Sequence, residues 1–153
     1  MKRLHIVEYK KFSSTTVYSI HFDGKENNET DDFILRFQEN PEYREDYQTI
    51  IRYIQKIGET GALERYFRPE RKAKAIPIVS SKLRLYGIRI SDQIIILGNG
   101  DIKTAKKVKN CPNCYPFFLT MNELMDKLEH SIRTNKISIE NNALKGEMIF
   151  TIK

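Results

Sequence analysis

The sequence predicts an α+β fold: two helices from the N-terminal half packed on a twisted antiparallel β-sheet, with a C-terminal helix plus short β-hairpin as an extension. Three observations predict it. Tyr47, Ile50, Ile51, Ile54 and Ile57 recur at helical spacing. Residues 82–97 alternate or run apolar in the manner of strands. A further helical stripe, Met121, Leu124, Met125, Leu128 and Ile132, precedes two short alternating segments. The expected division is a main domain over residues 1–110 and an extension over residues 111–153, which either stands apart or packs on the same core.

Leu4 and Ile6, with Tyr9 as a further candidate, mark a first strand. Thr15–Phe22 is β-branched and aromatic and reads as a second, closed by the turn residues Asp23-Gly24. Thr30-Asp31-Asp32 offers capping oxygens and negative charge at a helix start; Phe33, Ile34 and Phe37 share a face, and Asn40-Pro41 ends that helix. The second helix runs through Ile57, with Gly58 and Gly61 where a stop belongs. Ile76-Pro77-Ile78-Val79 reads as an edge strand, because Pro77 has no amide to donate. In Lys82-Leu83-Arg84-Leu85-Tyr86 the alternation turns Leu83 and Leu85 inward and Lys82, Arg84 and Tyr86 outward. Ile88 and Ile90 also demand a core, so a bulge at Gly87 is expected, returning Arg89 to the outer face. Gln93–Leu97 reads as a central strand closed by Gly98-Asn99-Gly100-Asp101. Thr120-Met121-Asn122-Glu123 has the form of a capping box. Ile137 and Ile139, then Met148, Phe150 and Ile152, alternate as two strands around Asn141-Asn142.

Charge separates along the chain. Twelve basic residues against three acids give Arg65–Lys109 a net +9, while five against ten give Lys25–Glu64 a net −5. Such a basic block fits a phosphate-rich or acidic partner; the plain alternative is a solvated surface. The strongest constellation is Lys82, Arg84, Tyr86 and Arg89, with Arg68, Arg71, Lys72 and Lys74 upstream and Lys103, Lys106 and Lys107 downstream. Guanidinium groups match phosphate oxygens two at a time, ammonium groups add point charge, and a tyrosine can stack on a base.

Other chemistry is weakly signalled. Cys111-Pro112-Asn113-Cys114 is a single CxxC; a closed zinc site needs four ligands, so structural thiols are the expectation. His5, His21 and His130 are widely separated, and His21 reads as a hydrogen-bonded strand residue. There is no Walker loop, dinucleotide-binding glycine fingerprint, zincin motif or nucleophile elbow. No metal or cofactor is expected. The charged start and the absence of a long apolar run predict a cytoplasmic protein with no membrane association.

The order of a helical pair, a basic linker (Phe67-Arg68-Pro69-Glu70-Arg71-Lys72), then Lys82-Leu83-Arg84-Leu85-Tyr86-Gly87-Ile88-Arg89 and Ile94–Lys103 resembles the RelE/ParE superfamily of type II toxin–antitoxin toxins, nearest its HigB-like branch. The resemblance covers roughly residues 30–110. It implies an mRNA endoribonuclease, usually ribosome-associated, cleaving RNA by metal-independent attack of the 2′-hydroxyl. It also implies a cognate antitoxin partner, with which the toxin can form a hetero-oligomer. By position, Arg84 would hold the scissile phosphate and Lys103 would stabilise charge. Lys72 or Lys74 would act as base, and Tyr86 and Arg89 would position the nucleotide. The alternative within the same resemblance is a non-catalytic member: a ParE-like, gyrase-directed toxin or a nucleic-acid-binding module.

Overall fold

A computed structural model describes residues 1–67, 76–79 and 82–153, the 76–79 stretch as backbone. It has the expected α+β architecture, with strands β1 (Lys2–Lys11) and β2 (Thr16–Phe22), helices α1 (Glu29–Phe37) and α2 (Arg44–Thr60), then β3 (Ile76–Val79), β4 (Leu83–Ser91) and β5 (Ile94–Ile102). Helix α3 (Tyr115–Arg133) follows, then β6 (Ile137–Glu140), β7 (Ala143–Gly146) and β8 (Ile149–Ile152).

The main sheet runs β3-β4-β5-β2-β1-β8. It is antiparallel except at β2–β5, which pair in parallel. The sheet is thus antiparallel as expected, with one parallel pair. From β2 the chain passes through both helices, lays down β3 and β4, and returns as β5 beside β2, a long connection of the kind a parallel pair requires. The extension does not stand apart. Strand β8 completes the sheet by pairing with β1, and the hairpin forms between β6 and β7 instead of reaching Met148–Ile152.

Both faces of this sheet are covered, which explains the apolar run Ile94–Leu97: all four side chains are fully buried. Ile95 and Leu97 join Val17, Leu83 and Leu85 under Phe33, Phe37, Ile50 and Ile57 of α1 and α2. Ile94 and Ile96 join Leu4, Ile6, Ile20, Tyr86 and Ile88 under Phe118, Met121, Leu124 and Leu128 of α3. Two cores therefore resolve the apparent register conflict in β4. Leu83 and Leu85 face one core, Tyr86 and Ile88 the other, and no flip at Gly87 is needed. The bulge lies on β5: Leu85 pairs with Gly100 and Gly87 with Leu97, so Gly98 and Asn99 together oppose Tyr86. Gly98-Asn99-Gly100 is thus a bulged strand interior, not a closing turn.

Helix boundaries follow local chemistry. Asn28 caps α1, its side-chain oxygen accepting from the Asp31 amide at 2.8 Å. The expected cap, Thr30, is one residue inside the helix and buried, its hydroxyl 2.6 Å from that of Ser19. Gly58 lies within α2 against the Phe12 ring, and Gly61, at φ 104°, makes the stop. Helix α3 starts at Tyr115, so the capping box is also corrected: Thr120 is internal and bonds back to the Pro116 carbonyl at 3.0 Å. Packing of Phe118 edge-on to Tyr86, centroids 5.8 Å apart, fixes that extra N-terminal turn on the sheet. Among the described residues no helix is long and apolar enough to cross a membrane.

Candidate nucleic-acid interface

The antiparallel ladder of β4 and β5 ends where the Lys103 amide donates to the Lys82 carbonyl at 2.8 Å, so these two lysines leave the sheet opposite each other. The chain then enters a loop in which Lys106, Lys107 and Lys109 are exposed. The loop is pinned at its base: the Thr104 amide and hydroxyl both donate to the Cys111 sulfur, at 3.4 and 3.5 Å. A strand end and a closed loop thus gather Lys82, Lys103, Lys106 and Lys107 at one end of the sheet, with Arg84 two residues into β4.

Arg84 is not on an open face. It is 8% exposed and donates to the Leu83 carbonyl at 2.9 Å. Tyr86 is fully buried in the α3 core. Arg89 lies about 16 Å along β4 from Arg84, at roughly 3.3 Å per residue. There it donates to the Ala62 carbonyl at 2.6 Å, pairs with Asp92 and approaches Glu64 at 3.6 Å. The single solvent face expected for Lys82, Arg84, Tyr86 and Arg89 is therefore corrected. Helix α3 covers Tyr86, Arg84 is itself buried, and local carboxylates hold Arg89. Arg68, Arg71, Lys72 and Lys74 lie outside the described residues.

A polar network beside this end has no clear signal in the sequence. Arg36 of α1 donates to Asp32 at 3.1 Å, Asp101 at 3.2 Å and the Gly100 carbonyl at 2.7 Å, and also bonds the Asn99 side-chain oxygen. Asn99 in turn donates to Asp32 at 2.9 Å. The guanidinium lies over the rings of Phe37 and Phe117, 5.0 and 5.7 Å from their centroids. The i, i+4 pairing of Asp32 with Arg36 is visible in the sequence; their contact with a β5 bulge is not. Asp101, the register partner of Arg84, is engaged with Arg36. Through that contact the network ties α1 to β5 one register step from the strand end.

Burial raises the Asp32 carboxyl, but bonds from Asn99 and Arg36 outweigh it and hold it below the ordinary aspartate value. A carboxylate depressed on folding stabilises the fold at pH values above its unfolded pKa, about 3.9, and that contribution is lost as pH falls through the lower folded value. Urea midpoints measured from pH 7 to 3 should therefore converge for wild type and Asp32→Asn. A constant gap between the two would refute the linkage.

Two other concavities are less suited to a phosphate chain. A cleft of about 300 Å³ between β1 and the helices is lined mainly by Phe12, Phe33, Ile34, Ile51 and Ile54, and its Tyr9 hydroxyl already donates to Asp31 at 2.7 Å. On the far part of the sheet, His5 and His21 are cross-strand neighbours; His5 meets Asp23 at 2.9 Å and His21 the Lys25 carbonyl at 2.8 Å. Among the described residues no cluster of three metal-ligating side chains forms.

Comparison with protein-family models, curated proteins and solved structures yields no match.

Proposed function

We propose that this chain binds RNA through the lysine-rich end of β4 and β5, as a toxin of the RelE/ParE, HigB-like kind that its strand and charge order resembles. The observation that carries the reading is the Lys103–Lys82 ladder bond, which sets two lysines opposite each other beside the exposed Lys106, Lys107 and Lys109. Flexible ammonium groups suit a mobile single strand, because they track phosphates without demanding one geometry. Cleavage in this reading is attack of an RNA 2′-hydroxyl on the adjacent 3′-phosphate: the hydroxyl proton is lost, the bond from phosphorus to the next nucleotide's 5′-oxygen breaks, that oxygen leaves protonated, and a 2′,3′-cyclic phosphate remains. The protein neutralises the charge that builds on the phosphorane, a role for Lys103. Buried Arg84 supports the strand end from beneath. The setting would be the cytoplasm, with translated mRNA as target and an antitoxin as the neutralising partner.

Fluorescence anisotropy with a labelled single-stranded RNA tests the binding step. Affinity should fall steeply with salt. Alanine at Lys82, Lys103, Lys106 and Lys107 together should weaken binding roughly ten-fold or more and flatten the slope of log K against log salt by about 0.7 for every phosphate no longer neutralised. An unchanged slope would remove the assignment. For cleavage, an RNA carrying a single 2′-deoxy nucleotide at the scissile position should bind normally and resist cutting. Expression in a bacterial host should arrest growth with mRNA breaks, and Lys103→Ala should relieve both.

The burial of Arg84 and Tyr86 favours a second reading, binding without cleavage, either as a nucleic-acid module or as a gyrase-directed toxin. Growth arrest with intact mRNA and induced DNA-damage signalling would select it.

A further inference from the structure

Cys111 to Cys114 form a turn immediately before α3. The Cys114 amide donates to the Cys111 carbonyl at 3.2 Å, and the Tyr115 amide reaches the same carbonyl at 2.9 Å. A turn of this kind keeps its end α-carbons within about 7 Å, the range a disulfide spans. The two thiols also converge. Cys111 donates to the Ile102 carbonyl at 3.6 Å and Cys114 to the same oxygen at 3.5 Å, while Cys114 also lies 3.6 Å from the Asp101 carbonyl. Contact with one shared carbonyl oxygen brings the two sulfurs to the same point of the fold.

The surroundings of the two sulfurs differ. The Cys111 sulfur accepts from the amide and hydroxyl of Thr104. Burial opposes its ionisation, but the Thr104 and Cys114 donors prevail and bring it down to about 7. Burial pushes the Cys114 thiol up to about 12. At neutral pH one sulfur is thus readily a thiolate while its neighbour keeps its proton.

We propose that Cys111 and Cys114 are a redox-active dithiol that closes to an intramolecular disulfide, with a low-molecular-weight disulfide as oxidant. The Cys111 thiolate attacks one sulfur of the oxidant RSSR, forming a mixed disulfide and releasing RS⁻. Cys114 then gives up its proton and its sulfur attacks that of Cys111, closing the bridge and releasing the second RS⁻. In sum the protein dithiol and RSSR become the protein disulfide and two RSH. Both side chains are fully buried, so exchange waits on local opening and runs slower than at exposed thiols. Closure removes both S–H donors from the Ile102 and Asp101 carbonyls and weakens the acceptor for Thr104. The consequence is a looser base for the loop that carries Lys106 and Lys107.

The test equilibrates the native protein with graded mixtures of reduced and oxidised glutathione and reads free thiols by alkylation and mass. Both thiols should disappear together, with a mass loss of two hydrogens. Cys114→Ser should accumulate a glutathione adduct at Cys111, and Cys111→Ser should form one about ten-fold more slowly. Amide exchange at Thr104 should be faster in the oxidised protein. The proposal is overturned if the native chain keeps both thiols under conditions that close the bridge in urea, or if Cys111→Ser reacts as fast as Cys114→Ser. None of these readouts depends on RNA binding.

Discussion

Gly100→Ala is expected to lower stability by about 4 kcal/mol or to prevent folding. A Cβ at this position would lie 1.7 Å from the Arg84 carbonyl oxygen, 2.7 Å from its carbon and 2.9 Å from the Leu85 α-carbon. All three atoms belong to the backbone of β4, so no side chain can rotate away and the strands themselves must part. Parting them breaks the ladder on the side of the bulge that leads to Lys103, and with it the lysine pairing. Gly24→Ala provides the comparison. It sits at φ 83° with open space around the missing Cβ, so its cost is confined to the left-handed backbone, about 1–2 kcal/mol. Urea denaturation of both variants checks the contrast. If Gly100→Ala shifts the midpoint no further than Gly24→Ala, the close approach of the strands is wrong.

Arg36→Met should cost about 3 kcal/mol, mostly through what it leaves behind. The methionine keeps much of the packing on Phe37 and Phe117 but abandons Asp32, Asp101, Asn99 and the Gly100 carbonyl. Asn99 is 3% exposed and cannot turn to water for a replacement partner. Arg36→Lys retains charge without the fork and should recover less than half of the loss. A double-mutant cycle of Arg36→Met with Asn99→Ala should show a coupling of about 1 kcal/mol or more, because the two share one network. Additive effects would mean that the helix and the bulge are stabilised independently.

Most secondary structure is legible because it is written in short-range periodicity. The stripe from Tyr47 to Ile57 needs only helical spacing to be read, and Ile94–Leu97 only its apolar continuity. Boundaries are less legible, as with Thr30 and Thr120. Each looks like a cap in isolation, yet each lies inside a helix because Asn28 and the Tyr115–Phe118 packing set the ends first. The sequence signals a bulge but points to the wrong strand for it. Reading β4 against one core forces a flip at Gly87, whereas a second core makes the flip unnecessary.

By itself the sequence determined the α+β class, the order of elements, the edge position of the Pro77 strand and the basic block ending at Lys109. Those follow from propensity, alternation and charge, each a property of neighbours along the chain. Tertiary structure alone decided that α3 closes over the second sheet face and buries Tyr86, that Arg84 is buried, that Arg36 meets Asn99, and that Cys111 and Cys114 share the Ile102 carbonyl. Arg36 and Asn99 stand 63 positions apart along the chain, and periodicity decays over a few turns. A local pattern says which face of a strand is apolar; only the packed chain says what covers it.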